Sequence, residues 1–301
     1  MPVNIPDTLP ASEVLKKENV FVMHQSRALK QDIRPIKIGI LNLMPLKEKT
    51  ETHLIRMLSN TPLQIEIVLL NTQSHTPKHT SRKHLDSFYK SFADIEHSYL
   101  DGLIITGAPI ELLDFHDVLY WKELTQIYDW ADKHVTSTFH ICWGAQAALY
   151  YYYGIQKYEL AQKLFGVFPH KVNNKKNELV RGFDDVFYAP HSRFTYTKIS
   201  DVKKHKDLEI ISESEEAGLY LLATKNKKHV FVTGHSEYDP ITLRDEYERD
   251  KKKGVHVDIP KNYFPQNDPN QVPNNVWKAH GNLLFSNWLN FYVYQETPYA
   301  I

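Results

Sequence analysis

FHICWGAQAAL, residues 139–149, contains Cys142, the single cysteine of a 301-residue chain. The preceding VTSTFHIC (135–142) is apolar and β-branched, as a buried strand is, and WGAQAALYYYYG (143–154) has helical spacing with alanines suited to close packing. Cys142 therefore falls at a strand-to-helix turn. A nucleophile at such a turn stands above the sheet, and small residues such as Gly144 and Ala145 let the chain fold sharply. The start of the following helix offers its positive dipole end and free N–H groups. Both lower the pKa of a thiol and supply donors for an oxyanion.

The flanking sequence repeats this alternation. PIKIGILNLMP (35–45), QIEIVLLN (64–71) and DGLIITGAP (101–109) read as further near-continuously apolar strands. TETHLIRMLSN (50–60) and VLYWKELTQIYDWADKH (118–134) between them place Leu54, Ile55, Leu58, Leu124, Ile127 and Tyr128 at helical intervals. The fold class is α/β, a mostly parallel sheet with helices on both faces. After about residue 165 the pattern becomes hairpin-like, and the turn KNKK (225–228) between LYLLAT and HVFVTGH predicts antiparallel additions at the sheet edge. Helices are expected over 241–254 and 276–291. The first 34 residues, rich in proline and polar groups, read as an arm on the surface, and residues 35–301 as a single domain.

Lys plus Arg and Asp plus Glu number 36 each, so no net field draws the chain to nucleic acid or anionic lipid. The basic clusters KKHK (203–206), KNKKH (225–229) and DKKKG (250–254) sit among acids and turn residues, as solvated loops do. No apolar run approaches the ~18 residues that span a bilayer, the amino end lacks the basic start and apolar core of a signal peptide, and cysteine scarcity suits a reducing compartment. The expected location is the cytoplasm.

A cysteine nucleophile needs a base, and the base a group to orient it. VFVTGHSEYDP (230–240) supplies both, an apolar strand ending at Gly234 before His235 and Glu237. Residues two apart in extended chain point the same way. The imidazole then shares the thiol proton while the carboxylate sets its tautomer. No HExxH or cysteine pair supports a zinc site.

CWGAQ with a downstream HSE resembles the class I glutamine amidotransferase fold, which is flavodoxin-like. A longer set of motifs in order, NIPDTLPA, ILNLMPLKEKTE, LDGLIITGAPIE, HICWGAQAAL, GVFPHKV, PHSR and TGHSEYDP, resembles the homoserine O-acyltransferases of the MetA type over essentially the whole chain. The amidotransferase elbow usually has a glycine two residues before its cysteine; His140 stands there, which favours the acyltransferase branch. The resemblance implies a ping-pong transfer in methionine biosynthesis, from an acyl-CoA to Cys142 and then to the γ-hydroxyl of L-homoserine, with His235 as base and Glu237 behind it. It places Lys163, Ser192 and Arg249 against the amino-acid substrate, and Lys47 beside the nucleophile, where backbone N–H groups join that of Trp143 in an oxyanion hole. It implies no metal or prosthetic cofactor, acetyl-CoA being a co-substrate, and often a homodimer. Residue 111 goes with the acyl donor, glutamate with acetyl and glycine with succinyl. Glu111 thus points to homoserine O-acetyltransferase, with the succinyl enzyme and, more distantly, an amidotransferase subunit as alternatives.

Overall fold

The computed structural model describes residues 3–18, 22–28, 34–75, 79–254 and 256–298. Its strands are β1 (Val3–Ile5), β2 (Val22–His24), β3 (Ile36–Leu41), β4 (Ile65–Leu70), β5 (Tyr89–Lys90), β6 (Leu100–Ile105), β7 (Val135–Ile141), β8 (Lys157–Val172), β9 (Val186–Thr197), β10 (Leu208–Ser214), β11 (Gly218–Thr224) and β12 (His229–Val232). Its helices are α1 (Ala11–Lys17), α2 (Gln25–Ala28), α3 (Lys47–Leu58), α4 (Arg82–Phe88), α5 (Trp121–His134), α6 (Trp143–Tyr153), α7 (Ile199–Val202), α8 (Thr242–Lys252) and α9 (Lys278–Asn287).

Among the described residues all strands join one sheet, in the order β2-β1-β4-β3-β6-β7-β12-β11-β10-β8-β9, with β5 beside β4. From β2 to β12 every pairing is parallel, and from β12 onward every pairing is antiparallel, so the expected hairpin region extends one edge. The registers Leu41 with Ile105, Ile105 with His140 and Ile141 with Val232 bring the carboxyl ends of β3, β6, β7 and β12 to one rim. Ligands bind at that rim in open α/β sheets.

Side-chain alternation builds a core on each face. Ile38, Ile40, Ile104, Phe139, Ile141, Val230 and Val232 pack with Leu54, Ile55 and Leu58 of α3 and Leu284 and Phe285 of α9. Leu41, Leu103, Ile105, Val135 and Phe231 turn the other way, against Leu124, Ile127 and Ala131 of α5 and Ala145, Ala148 and Leu149 of α6.

The amino-terminal segment differs from its expectation as a surface arm. β1 pairs with β4 through Val3 opposite Ile65, β2 pairs with β1, and Val3, Ile5, Leu9 and Leu15 are buried. These apolar side chains, interleaved with the polar ones, cover the end of the parallel sheet and satisfy its edge. The carboxyl-terminal helix also runs further than expected: α9 continues into a wider π-type turn, Trp288–Tyr294, that buries Trp288 and Leu289. No helix of the described residues is long and apolar enough to cross a membrane.

Candidate active site

Cys142 lies between β7 and α6 with φ 52° and ψ −115°. A non-glycine residue rarely adopts that backbone, and it persists only where the surroundings enforce it. Here the Cys142 N–H donates to Val232 O at 2.7 Å, prolonging the β7–β12 ladder, and Gln146 N–H donates to Cys142 O at 3.1 Å, starting the helix. Gly144 permits the turn: a Cβ on it would lie 2.6 Å from Thr106 O and 2.9 Å from Ile105 O. A Cβ on Gly107, at the end of β6, would stand 3.3 Å from that of Cys142.

His235 follows β12 on the same rim. Its Nδ1 lies 2.7 Å from Oε1 of Glu237, a Cβ on Gly107 would stand 3.7 Å from its Cε1 as it does close to Cys142, and both His235 and Glu237 are buried. Burial pushes the imidazole toward neutrality, but the charges of Cys142 and then Glu237 overcome it and hold its pKa well above the ordinary histidine value. Tyr238 stacks on the ring at 4.2 Å between centroids. The next residue, Asp239, is held by His53 Nε2 at 2.9 Å and Arg56 Nη1 at 2.6 Å; Arg56 also donates Nη2 to Glu18 at 2.7 Å, beyond the end of α1.

A second group of side chains adjoins this line. Between Glu159, paired with Thr195, and Leu164, paired with Arg193, β8 carries extra residues, and Lys163 extends from the irregularity. Its Nζ lies 3.0 Å from Asp250 and 3.6 Å from Glu246, and 4.1 Å above the ring of Phe165. Ser192 on β9 donates its hydroxyl to Glu246 at 2.5 Å, and Tyr238 donates to the other oxygen at 3.2 Å. Arg249 donates Nε to Asp250 at 2.8 Å. Burial would raise the Asp250 carboxyl, but hydrogen bonds from Lys163 and Arg249 hold it below the usual range.

Lys163, Ser192 and Arg249 are thus joined through two carboxylates of α8 that the sequence reading did not single out. Their four-residue spacing places Glu246 and Asp250 on one helix face, a signal present in LRDEYERD. Glu111, just past the end of β6, accepts the Phe194 N–H at 3.4 Å, which brings its carboxylate to the strand that carries Ser192. Lys157 Nζ clamps the loop by donating to Glu111 O and Leu113 O, both at 2.6 Å.

Lys47 opens α3, buried, and its ammonium is turned back onto Asn42 O in its own turn. Burial, opposed by Glu51, lowers it to about 8. The N–H groups of Leu43 and Met44 in that turn are engaged by Thr106 Oγ1 and Asn42 Oδ1. Trp143 is fully buried, and its N–H is the first of α6. Among the described residues no group of three or more His, Cys, Asp or Glu is placed to hold a metal ion.

A family model described as homoserine O-succinyltransferase matches residues 2–299. The chain belongs to this family. Within the homoserine O-succinyltransferase family, a protein from Brevibacillus brevis named homoserine O-acetyltransferase is 58% identical over 301 residues, covering 100% of this chain and 98% of its own. One of the same name from Acetivibrio thermocellus is 57% identical, covering 100% of this chain and 99% of its own. Among solved structures, a glutamine amidotransferase from Thermotoga maritima aligns with a TM-score of 0.56 at 11% identity, over 86% of this chain and 98% of that one. That likeness is one of fold, and the expected class I glutamine amidotransferase-like architecture holds for this family member.

Proposed function

We propose that the chain transfers the acetyl group of acetyl-CoA to the γ-hydroxyl of L-homoserine through an acyl-Cys142 intermediate. The observation that carries this reading is His235 set beside Cys142 at the rim of the sheet with its Nδ1 on Glu237, the imidazole and its carboxylate both buried. The Cys142 thiolate adds to the thioester carbonyl, and CoA leaves as a thiol with the proton held on His235. His235, neutral again, takes the proton of the homoserine hydroxyl as its oxygen attacks the acyl carbonyl, and the sulfur departs as thiolate. With the sulfur acylated, the charge that does most to raise the imidazole is gone, which brings the base closer to the neutral range that suits the second step. The Trp143 N–H and the turn at Lys47 are assigned to the oxyanion. Lys163, Ser192 and Arg249, with Glu246 and Asp250 among them, are assigned to the amino-acid substrate; a guanidinium suits its carboxylate.

The acetyl donor is supported by Glu111 beside β9 and by the names of the relatives. A second reading, succinyl-CoA as donor, rests on the name of the family model. The whole chain acts as one catalytic unit whose β1 and β2 complete the sheet edge, working as a homodimer without a nucleic-acid partner; sedimentation equilibrium, with and without added DNA, tests that assembly. The mass of the intact protein after brief incubation with acetyl-CoA or succinyl-CoA tests the chemistry. One acetyl increment that homoserine discharges is expected; a succinyl increment of equal or greater yield overturns the donor, and glutaminase activity without any increment overturns the reaction.

A further inference from the structure

Arg193, in the middle of β9, is 3% exposed. Its guanidinium donates Nη1 to Thr195 O and Nη2 to Ala217 O, both at 2.6 Å, and Nε to His191 Nδ1 at 3.4 Å. All three acceptors are uncharged. Burial keeps His191 well below the usual histidine range, and its Nε2 lies 3.0 Å from Nε2 of His170, which burial holds near 3. Among the described residues no carboxylate pairs with Arg193. A buried cation without a counter-charge is costly, so a fold that keeps one has a use for it.

Its position indicates the use. β9 crosses the rim of the sheet: Pro190 O accepts the His235 N–H at 2.8 Å, and Thr195 Oγ1 donates to Gln146 Oε1 at 2.9 Å. Gln146 lies in the first turn of α6, bonded to Cys142 O. Arg193 therefore stands between the anchor of the base loop and the anchor of the nucleophile helix, and side chains two apart on a strand share a face. Burial draws its guanidinium to about 10, still charged at neutral pH, and the group whose negative charge opposes that fall is Cys142.

We propose that Arg193 is the counter-charge of the Cys142 thiolate, a positioning residue that favours the anion both as attacking group and as leaving group. The proposal rests on Cys142 being the nucleophile. When the sulfur is acylated its charge disappears, leaving Arg193 buried without a partner, and expulsion of the thiolate restores the pair. The other titratable groups facing the thiol are His235, with Glu237 behind it, and Tyr238, whose hydroxyl burial holds well above its usual pKa. His191, whose Cε1 would lie 3.0 Å from a Cβ on Gly234, and His170 behind it are neutral.

The test is the pH dependence of Cys142 alkylation by iodoacetamide in the full chain and in Arg193→Gln and Arg193→Lys. Loss of the charge in Arg193→Gln should raise the alkylation midpoint by about one pH unit or more, whereas Arg193→Lys, which keeps the charge and loses the fork, should restore most of that shift. A folded Arg193→Gln with an unchanged midpoint overturns the proposal, and so does an Arg193→Lys that shifts as far as Gln, because hydrogen bonding would then be the whole effect. In the unsubstituted chain the Arg193 Nε resonance should move with the same midpoint; a resonance indifferent to Cys142 overturns the proposal even where no variant folds. Alkylation requires no substrate, so this result stands apart from whether acetyl-CoA leaves an acetyl group on Cys142.

Discussion

The ring of Tyr238 lies nearly flat on that of His235, with centroids 4.2 Å apart and planes 16° from parallel. The stack restricts the tilt of the imidazole independently of Glu237, whose carboxylate meets Nδ1 at 2.7 Å. Removing only the charge of Glu237 should therefore leave the ring in place and change its affinity for a proton. In Glu237→Gln the limb of the pH–rate profile that reports His235 should move to lower pH, since Glu237 helps hold that pKa up, and kcat should fall about tenfold or more. An unmoved limb with unchanged kcat would remove Glu237 from the base.

The backbone of Cys142 supplies a stability test. At φ 52° and ψ −115° glycine is unstrained, whereas any L side chain is not. Cys142→Gly should exceed Cys142→Ala in stability by about 1 kcal/mol, even though glycine loses more chain entropy on folding. Neither variant should take up an acetyl group. Chemical denaturation decides the first point and intact mass the second; an alanine variant as stable as the glycine one would show the turn to be unstrained.

Glu111 concerns the donor. Like charges ~4 Å apart at an effective dielectric near 20 repel by about 4 kcal/mol before screening, enough to disfavour the free carboxylate of succinyl-CoA. Glu111→Gly removes both charge and bulk. The ratio of kcat/KM for succinyl-CoA over acetyl-CoA should rise by roughly a hundredfold or more, allowing for screening. Steady-state kinetics with the two thioesters measure it, and a ratio within twofold of the starting chain would clear Glu111 of that role.

Acid should unfold the chain by way of its interior histidines. Burial lowers the pKa of His140, His170, His191 and His229, the second and fourth to about 3. Below the unfolded value near 6.5 the unfolded chain binds more protons at these sites, so stability present at neutral pH is lost as pH falls toward the folded values. The slope is up to about 1.4 kcal/mol per pH unit for each histidine. His235, raised in the fold, acts in the opposite sense: its contribution is present below 6.5 and is lost as pH rises through its folded value. Urea unfolding between pH 7 and 5 should show the decline, and His140→Phe, on whose neighbour Phe231 the imidazole already stacks, should flatten it by about one proton's share.

The parallel half of the sheet was legible because its strands are long and apolar: 64–71 and 135–142 became Ile65–Leu70 and Val135–Ile141. Cys142 was legible for the same reason, a strand and an alanine-rich helix meeting at one residue. β1 was not, since VNI between two prolines is too short to show a period and becomes a strand only by pairing with β4. Nor was the joining of Lys163 to Asp250 across 87 residues, which depends on the irregularity in β8. Arg193 belongs to the same class. Inside PHSR it looks like any polar residue on a strand, and its isolation from carboxylates is a property of the packed interior alone.

Arg56 grips Glu18 with one edge of its guanidinium and Asp239 with another. During synthesis the two halves of that clamp emerge far apart in time: Glu18 and α3 have left the ribosome long before the segment bearing His235 is made. The late segment thus docks on side chains made long before it, through Asp239, four residues past the base. Damage would run the other way. A protease cut near Glu18 would leave every group that meets substrate chemically intact, yet would loosen the seat of the segment that carries the base.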